Sequence, residues 1–340
     1  MKTFFDIMAD LAESIEPQMC YDGDDSPESF RAWQEKFRAK LWELKGESLP
    51  RPEAKVEVLD CVDEGDHIRE HVTIDSFGGT KITAYILVPK GKVDRPRPGV
   101  LALHGHTLRG KERIARVEPL TPNDPGDYPQ DYGLAAARAG FVTLCPDWWG
   151  FGERRDTDGR MLKKGEFCTT KFMGLSMYGL SLLSFMVDDA LASLDALCAR
   201  PDVDAKRIGV VGHSFGGRMT MWLAALDDRV RCSASCGAFG GMRDHSRRLA
   251  ACGAQFFPGL LHWGDIEEVF SLIAPRPLMV LYGDQDHLVL PEPAARKRRI
   301  VERAYRILDA SDALTFHVFD GAHCIDIPAA IAWLSQQLGV

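Results

Sequence analysis

The 340-residue chain predicts an α/β fold in which a mostly parallel central sheet is flanked by helices and preceded by an amino-terminal helical extension. Three observations point there. Six short apolar runs follow Pro98, namely GVLALHG, GFVTLCPDWWG, RIGVVGHS, VRCSASCGA, PLMVLYGDQD and LTFHVFDGAH, and such runs suit strands buried on both faces. Segments of helical period separate them, the pattern of parallel strands joined by crossover helices. At this length, with 45% hydrophobic residues, the chain can also bury a large core.

Taken in order, residues 1 to about 48 read as amphipathic helix. Phe4, Phe5, Met8, Leu11 and Ile15 share one side, and Phe30, Trp33, Phe37, Leu41 and Leu44 follow at three- and four-residue steps. The expected division is therefore a helical extension over 1–50 and one larger α/β domain over 51–340. From Lys55 the pattern changes to alternation in KVEVLDCV, HIREHVTID and KITAYILVP, separated by the turn-forming DEGD and SFGGT, which predicts an antiparallel strand group. The helices expected between the later strands are DYGLAAARAG, SLLSFMVDDALASLDALCAR, RMTMWLAALDD, ARKRRIVERAYR and PAAIAWLSQQL. Residues 106–130, 151–176 and 238–268 fit no regular element. Each stretch follows a sheet strand, where an open α/β sheet has its ligand crevice, so these are the expected pocket walls.

Charge and cysteine usage exclude several functions. Forty-nine acidic against 41 basic residues give a net charge of −8, which argues against nucleic acid as a partner, and the basic run 295–306 reads as a solvated helix face. Nine cysteines, an odd number without a CxxC pair, resemble a reduced protein and not a disulfide framework. Asp6 and Asp10 interrupt what a signal peptide would need, and no 18-residue apolar run occurs, so a cytoplasmic protein without a membrane span is expected.

The chemistry begins at Gly212-His213-Ser214-Phe215-Gly216. This is Gly-x-Ser-x-Gly between a predicted strand and a predicted helix, the nucleophile elbow of α/β-hydrolases. The elbow strains its serine backbone and crowds the positions two residues either side, where glycine removes the clash. A serine hydroxyl needs a base to take its proton and a carboxylate to orient that base, and in this fold they follow in the order Ser, acid, His. LYGDQDHLV supplies Asp284 and Asp286, of which Asp286 lies deeper in the loop and can point back across the sheet, and FDGAHCID supplies His323. The Phe215 amide, at a helix start, and the His106 amide, after the early strand LALHGH, are the expected oxyanion donors. His104 and His106 also form an H-x-H pair, but no carboxylate or cysteine accompanies them at ligand spacing, so no metal and no cofactor are expected.

RIGVVGHSFGG, SLIAPRPLMVLYGDQDHLV, FDGAHCID and CPDWWGFGER together resemble the dienelactone hydrolase-like and acetyl xylan esterase-like branch of the α/β-hydrolases, over roughly residues 55–338. The resemblance maps the nucleophile onto Ser214, the base onto His323 and, through a Gly-x-x-Asp pattern from Gly283, the acid onto Asp286. It implies a serine esterase with a small-molecule ester substrate, an acylated carbohydrate by analogy. Two departures stand out. Ser214 replaces the cysteine of dienelactone hydrolases proper, and Asp147-Trp148-Trp149-Gly150-Phe151-Gly152 puts tryptophan where related esterases carry arginine. Trp148, Trp149, Phe151 and Trp263 are the candidate pocket residues, with Phe172, Met173, Phe256 and Phe257 beside them. An aminoacyl or peptide hydrolase and a non-catalytic hydrolase-like binding protein are the rival readings. The helices of 1–50 are left with two roles, capping the site or joining copies in a homo-oligomer.

Overall fold

In the computed structural model, which describes residues 1–47, 53–91, 95–117, 130–156, 168–248 and 252–340, a twisted sheet runs through the centre. Its strands are β1 (Val56–Asp63), β2 (His67–Asp75), β3 (Lys81–Pro89), β4 (Arg97–Leu103), β5 (Val142–Pro146), β6 (Val203–His213), β7 (Val230–Cys236), β8 (Leu278–Gly283) and β9 (Leu314–Phe319). They are ordered β1-β2-β3-β5-β4-β6-β7-β8-β9. The alternating segments become the antiparallel pairs β1–β2, β2–β3 and β3–β5, while β5, β4 and β6 to β9 pair in parallel. This is the α/β-hydrolase arrangement expected from the sequence.

The helices are α1 (Phe4–Ser14), α2 (Pro27–Lys45), α3 (Lys111–Ala115), α4 (Tyr132–Arg138), α5 (Thr169–Ser176), α6 (Leu182–Cys198), α7 (Phe215–Leu226), α8 (Met242–Arg247), α9 (Ile266–Ser271), α10 (Pro291–Ile307) and α11 (Ile327–Leu338). Side chains of the parallel strands alternate between two cores. Leu101, Leu103, Ile208 and Val210 pack with α2, α6, α7, α9 and α10 on one face; Val100, Ala102 and Val211 pack with α3, α4 and α11 on the other. None of the helices of the described residues is long and apolar enough to cross a membrane.

The amino-terminal helices are docked on the larger unit. Gln34, buried on α2, donates to the Ser271 and Ala274 carbonyls (3.1 and 2.8 Å), and Arg38 donates to the Ala225 carbonyl (2.9 Å). Tyr21, Phe30, Trp33 and Phe37 form an aromatic ladder along this contact. The expected continuous helical stretch is broken between α1 and α2, where Pro17, Gly23 and the aspartates before Ser26 favour turns over helix. Basic residues of α10 are ion-paired, Lys297 with Asp244, Arg298 with Glu302 and Arg303 with Asp25.

The three stretches expected to be irregular contain α3, α5 and α8, helices of five to eight residues, too short for a hydrophobic period to register. Residues 118–129, 157–167 and 249–251 of those stretches lie outside the described residues.

Candidate active site

Three strand ends at the carboxyl edge of the sheet meet at Ser214. β6 ends at His213, and Ser214 takes φ +59° and ψ −119° before α7 starts at Phe215. A β-carbon on Gly212 would lie 2.3 Å from the Gly216 carbonyl oxygen, and one on Gly216 would lie 1.8 Å from that of Leu103. Glycine at both positions is therefore a steric requirement of the bend.

The Ser214 hydroxyl donates to Nε2 of His323 (2.8 Å), whose Nδ1–H donates to Oδ2 of Asp286 (2.8 Å). The other oxygen of Asp286 accepts the Leu288 amide (2.9 Å), so this buried carboxylate is held from both sides. Asp284, the alternative acid, is exposed and accepts the Gly321 amide instead (3.2 Å). His323 keeps part of its ring open to solvent.

Beside Ser214 runs the turn after β4. A β-carbon on Gly105 would sit 3.3 Å from the Ser214 β-carbon, so the His104–His106 backbone passes directly against the serine. Among the described residues the His106 and Phe215 amides donate to no other protein atom, and the Phe215 amide belongs to the unpaired first turn of α7. The His106 ring stacks on Phe215 at 4.9 Å.

His213 was legible only as the variable residue of the elbow. Its ring lies 4.7 Å from His323, and burial first, then the neighbouring His323, push its pKa well below the usual imidazole value. A neutral ring thus faces the His323 imidazole, where a second cation would oppose protonation of that ring.

The candidate pocket residues are corrected in part. Trp148 and Phe151 are 0% and 1% exposed, so neither lines an open pocket. His104 clamps Trp148. The Trp148 amide donates to Nε2 of His104 (3.1 Å), the Trp148 indole donates to the His104 carbonyl (3.1 Å), and Nδ1–H of His104 donates to the Gly105 carbonyl (2.7 Å). Burial lowers the His104 pKa to about 4. Trp263 packs against α2, with Lys40 Nζ 3.9 Å above its ring and its carbonyl accepting the Met19 amide, away from the serine. Trp149 is half-buried beneath the Arg154 guanidinium (4.0 Å), next to Phe77. Arg154 also donates to the Asp147 carbonyl and to Asp189 (2.6 Å), while Lys111 Nζ meets the Asp147 carboxylate (2.6 Å). Lys111 and Arg154 are thus the cations around the Asp147 loop in which this sequence carries Trp149.

One cluster escaped the sequence reading. Nε2 of His106 lies 3.5 Å from Cys168 Sγ and 3.4 Å from Cys252 Sγ. The cysteines stand 62 and 146 residues from the histidine, so no local spacing announces them. All nine cysteines are free thiols.

Residues 3–326 match the profile of a family described as "Abhydrolase family". Among curated proteins, YtaP of Bacillus subtilis (strain 168), provisionally named a hydrolase, is 31% identical over 281 residues, 81% of this chain and 89% of its own length. Among solved structures, a provisionally named acetyl xylan esterase of Bacteroides fragilis superposes with a TM-score of 0.77 at 18% identity, covering 94% of this chain and 83% of its own. A glucuronoyl esterase from Solibacter usitatus does so with a TM-score of 0.65 at 17% identity, covering 92% and 94%.

Proposed function

This chain belongs to the Abhydrolase family, and from that premise we propose that it is a serine carboxylic ester hydrolase working through an acyl-enzyme. The 2.8 Å hydrogen bonds linking Ser214, His323 and Asp286 carry the reading. In this mechanism Ser214 Oγ attacks the ester carbonyl while His323 takes its proton, and Asp286 holds the imidazole in the tautomer that accepts at Nε2. The amides of His106 and Phe215 stabilise the oxyanion. His323 then returns the proton to the departing alcohol, and a water activated by the same imidazole releases the acid. Each step closes with the residues named, without a cofactor. Residues 51–340 carry this chemistry, and the 1–50 extension is docked on that unit through α2.

The substrate is the ester of a carbohydrate with a small acyl group. The acetyl xylan esterase name of one structural neighbour supports this class, and the glucuronoyl esterase name of the other supports a carbohydrate ester more broadly. A panel of acetylated sugars, methyl uronates, p-nitrophenyl acyl esters of increasing length and aminoacyl amides tests the assignment. Turnover is expected on esters, falling as the acyl chain lengthens, with kcat/KM on amides far lower. Amides turned over faster than esters, or no ester turned over at all, would contradict it.

A further inference from the structure

We propose that His106, Cys168 and Cys252 form a binding site for a thiophilic divalent cation of the zinc class. The three donor atoms, Nε2 and two Sγ, all lie within 4.8 Å of one another, and among the described residues no other group of this kind occurs. A tetrahedral zinc ion with nitrogen at about 2.1 Å and sulfur at about 2.3 Å separates its nitrogen and sulfur donors by about 3.6 Å. The two nitrogen–sulfur distances here are 3.5 and 3.4 Å, so an ion fits with small shifts of the thiols. Imidazole with two thiolates is a donor set that selects zinc or copper(I) over magnesium and calcium, which require oxygen.

The imidazole is held for the task. Its ring is stacked on Phe215 at 4.9 Å and set edge-on to Phe151 at 5.6 Å, an arrangement that leaves Nε2 directed at the sulfurs. His104, the other histidine of the H-x-H pair, is turned inward onto Trp148 and takes no part. His106 is exposed, Cys252 partly so and Cys168 buried, which gives an ion a route in and leaves a fourth coordination corner for water. The proposal uses only side chains that ester hydrolysis does not use. Its failure or success is therefore read separately from that of the hydrolase assignment, although His106 contributes to both through different atoms.

The test is a Co²⁺ titration of the full chain after reduction and removal of metals with a chelator. One equivalent is expected to bind, giving the visible absorption of tetrahedral cobalt and a near-ultraviolet thiolate-to-metal band, both lost when Zn²⁺ is added. Cys168→Ser and Cys252→Ser are each expected to remove most of the thiolate band and to weaken Zn²⁺ binding by at least about 100-fold. Cys61→Ser, on the exposed edge strand, leaves both unchanged. In the unaltered chain under reductant, Zn²⁺ is expected to protect Cys168 and Cys252 from iodoacetamide, read by peptide mass spectrometry, which answers the question even if a variant does not fold. No stoichiometric binding, a spectrum that survives both substitutions, or labelling of both thiols at the metal-free rate overturns the site.

Discussion

Asp147 and Asp286 invite comparison. Each follows the carboxyl end of a parallel strand, each has a fully buried side chain, and each is held by more than one hydrogen bond. Their surroundings differ. Asp147 accepts from the Lys111 ammonium, the Lys111 amide, the Thr83 hydroxyl and the Glu153 amide, so its charge is matched and its oxygens are saturated within the protein. Asp286 accepts one amide and one imidazole, and that imidazole points onward to a hydroxyl with an open side. A buried carboxylate matched to a permanent cation fixes loops in place. One matched to a titratable ring can stabilise a charge that appears only during reaction.

Exchanging each acid for its amide should separate the two roles. Asp286→Asn is expected to lower kcat by about 10⁴-fold, because the amide no longer enforces the imidazole tautomer, while shifting stability by about 1 kcal/mol or less. Asp147→Asn should do the reverse. It leaves the buried Lys111 ammonium with the half-exposed Glu153 carboxylate as its anion and costs about 3 kcal/mol of unfolding free energy, while the folded protein retains most of its kcat. Steady-state kinetics and urea denaturation on both variants check the pair, and the comparison fails if the two show the same pattern.

A smaller effect sharpens the same contrast through pH. His104 and His245 are held neutral by burial, each with its pKa lowered to about 4. In the unfolded chain both take up a proton near pH 6.5, so between about 6.5 and 4 the unfolded state binds more protons. Stability is therefore full above about pH 6.5 and is lost as pH falls toward 4, by up to about 3 kcal/mol for each ring. Urea denaturation between pH 7 and 4.5 should show this fall, and His104→Gln should show a shallower one. An equal slope in the variant would remove His104 from the explanation.

Much of this was readable from the residues in order. The strands declared themselves by apolar runs and alternation, and the elbow by two glycines whose substitution would place atoms inside the neighbouring backbone. Ser214, Asp286 and His323 each sit at a strand end next to turn residues, so local pattern located them although they are far apart in sequence. Trp148, Phe151 and Trp263 were misread because an aromatic in a loop gives no sign of which way its ring turns, and here hydrogen bonds from His104 and packing on α2 decide it. The Lys111–Asp147 pair and the His106, Cys168 and Cys252 cluster were invisible for another reason. Their members come from separate segments that only the folded sheet edge brings together.

In the proposed reaction the hydroxyl of Ser214 is the nucleophile. A fluorophosphonate probe reads this directly, since it reacts with a serine activated by a neighbouring imidazole and leaves a stable adduct. One phosphonyl group per chain is expected, located on the peptide containing Ser214, with ester hydrolysis lost in proportion to labelling and neither seen in Ser214→Ala. An adduct on a different residue, or hydrolysis that persists at full rate in Ser214→Ala, would contradict it.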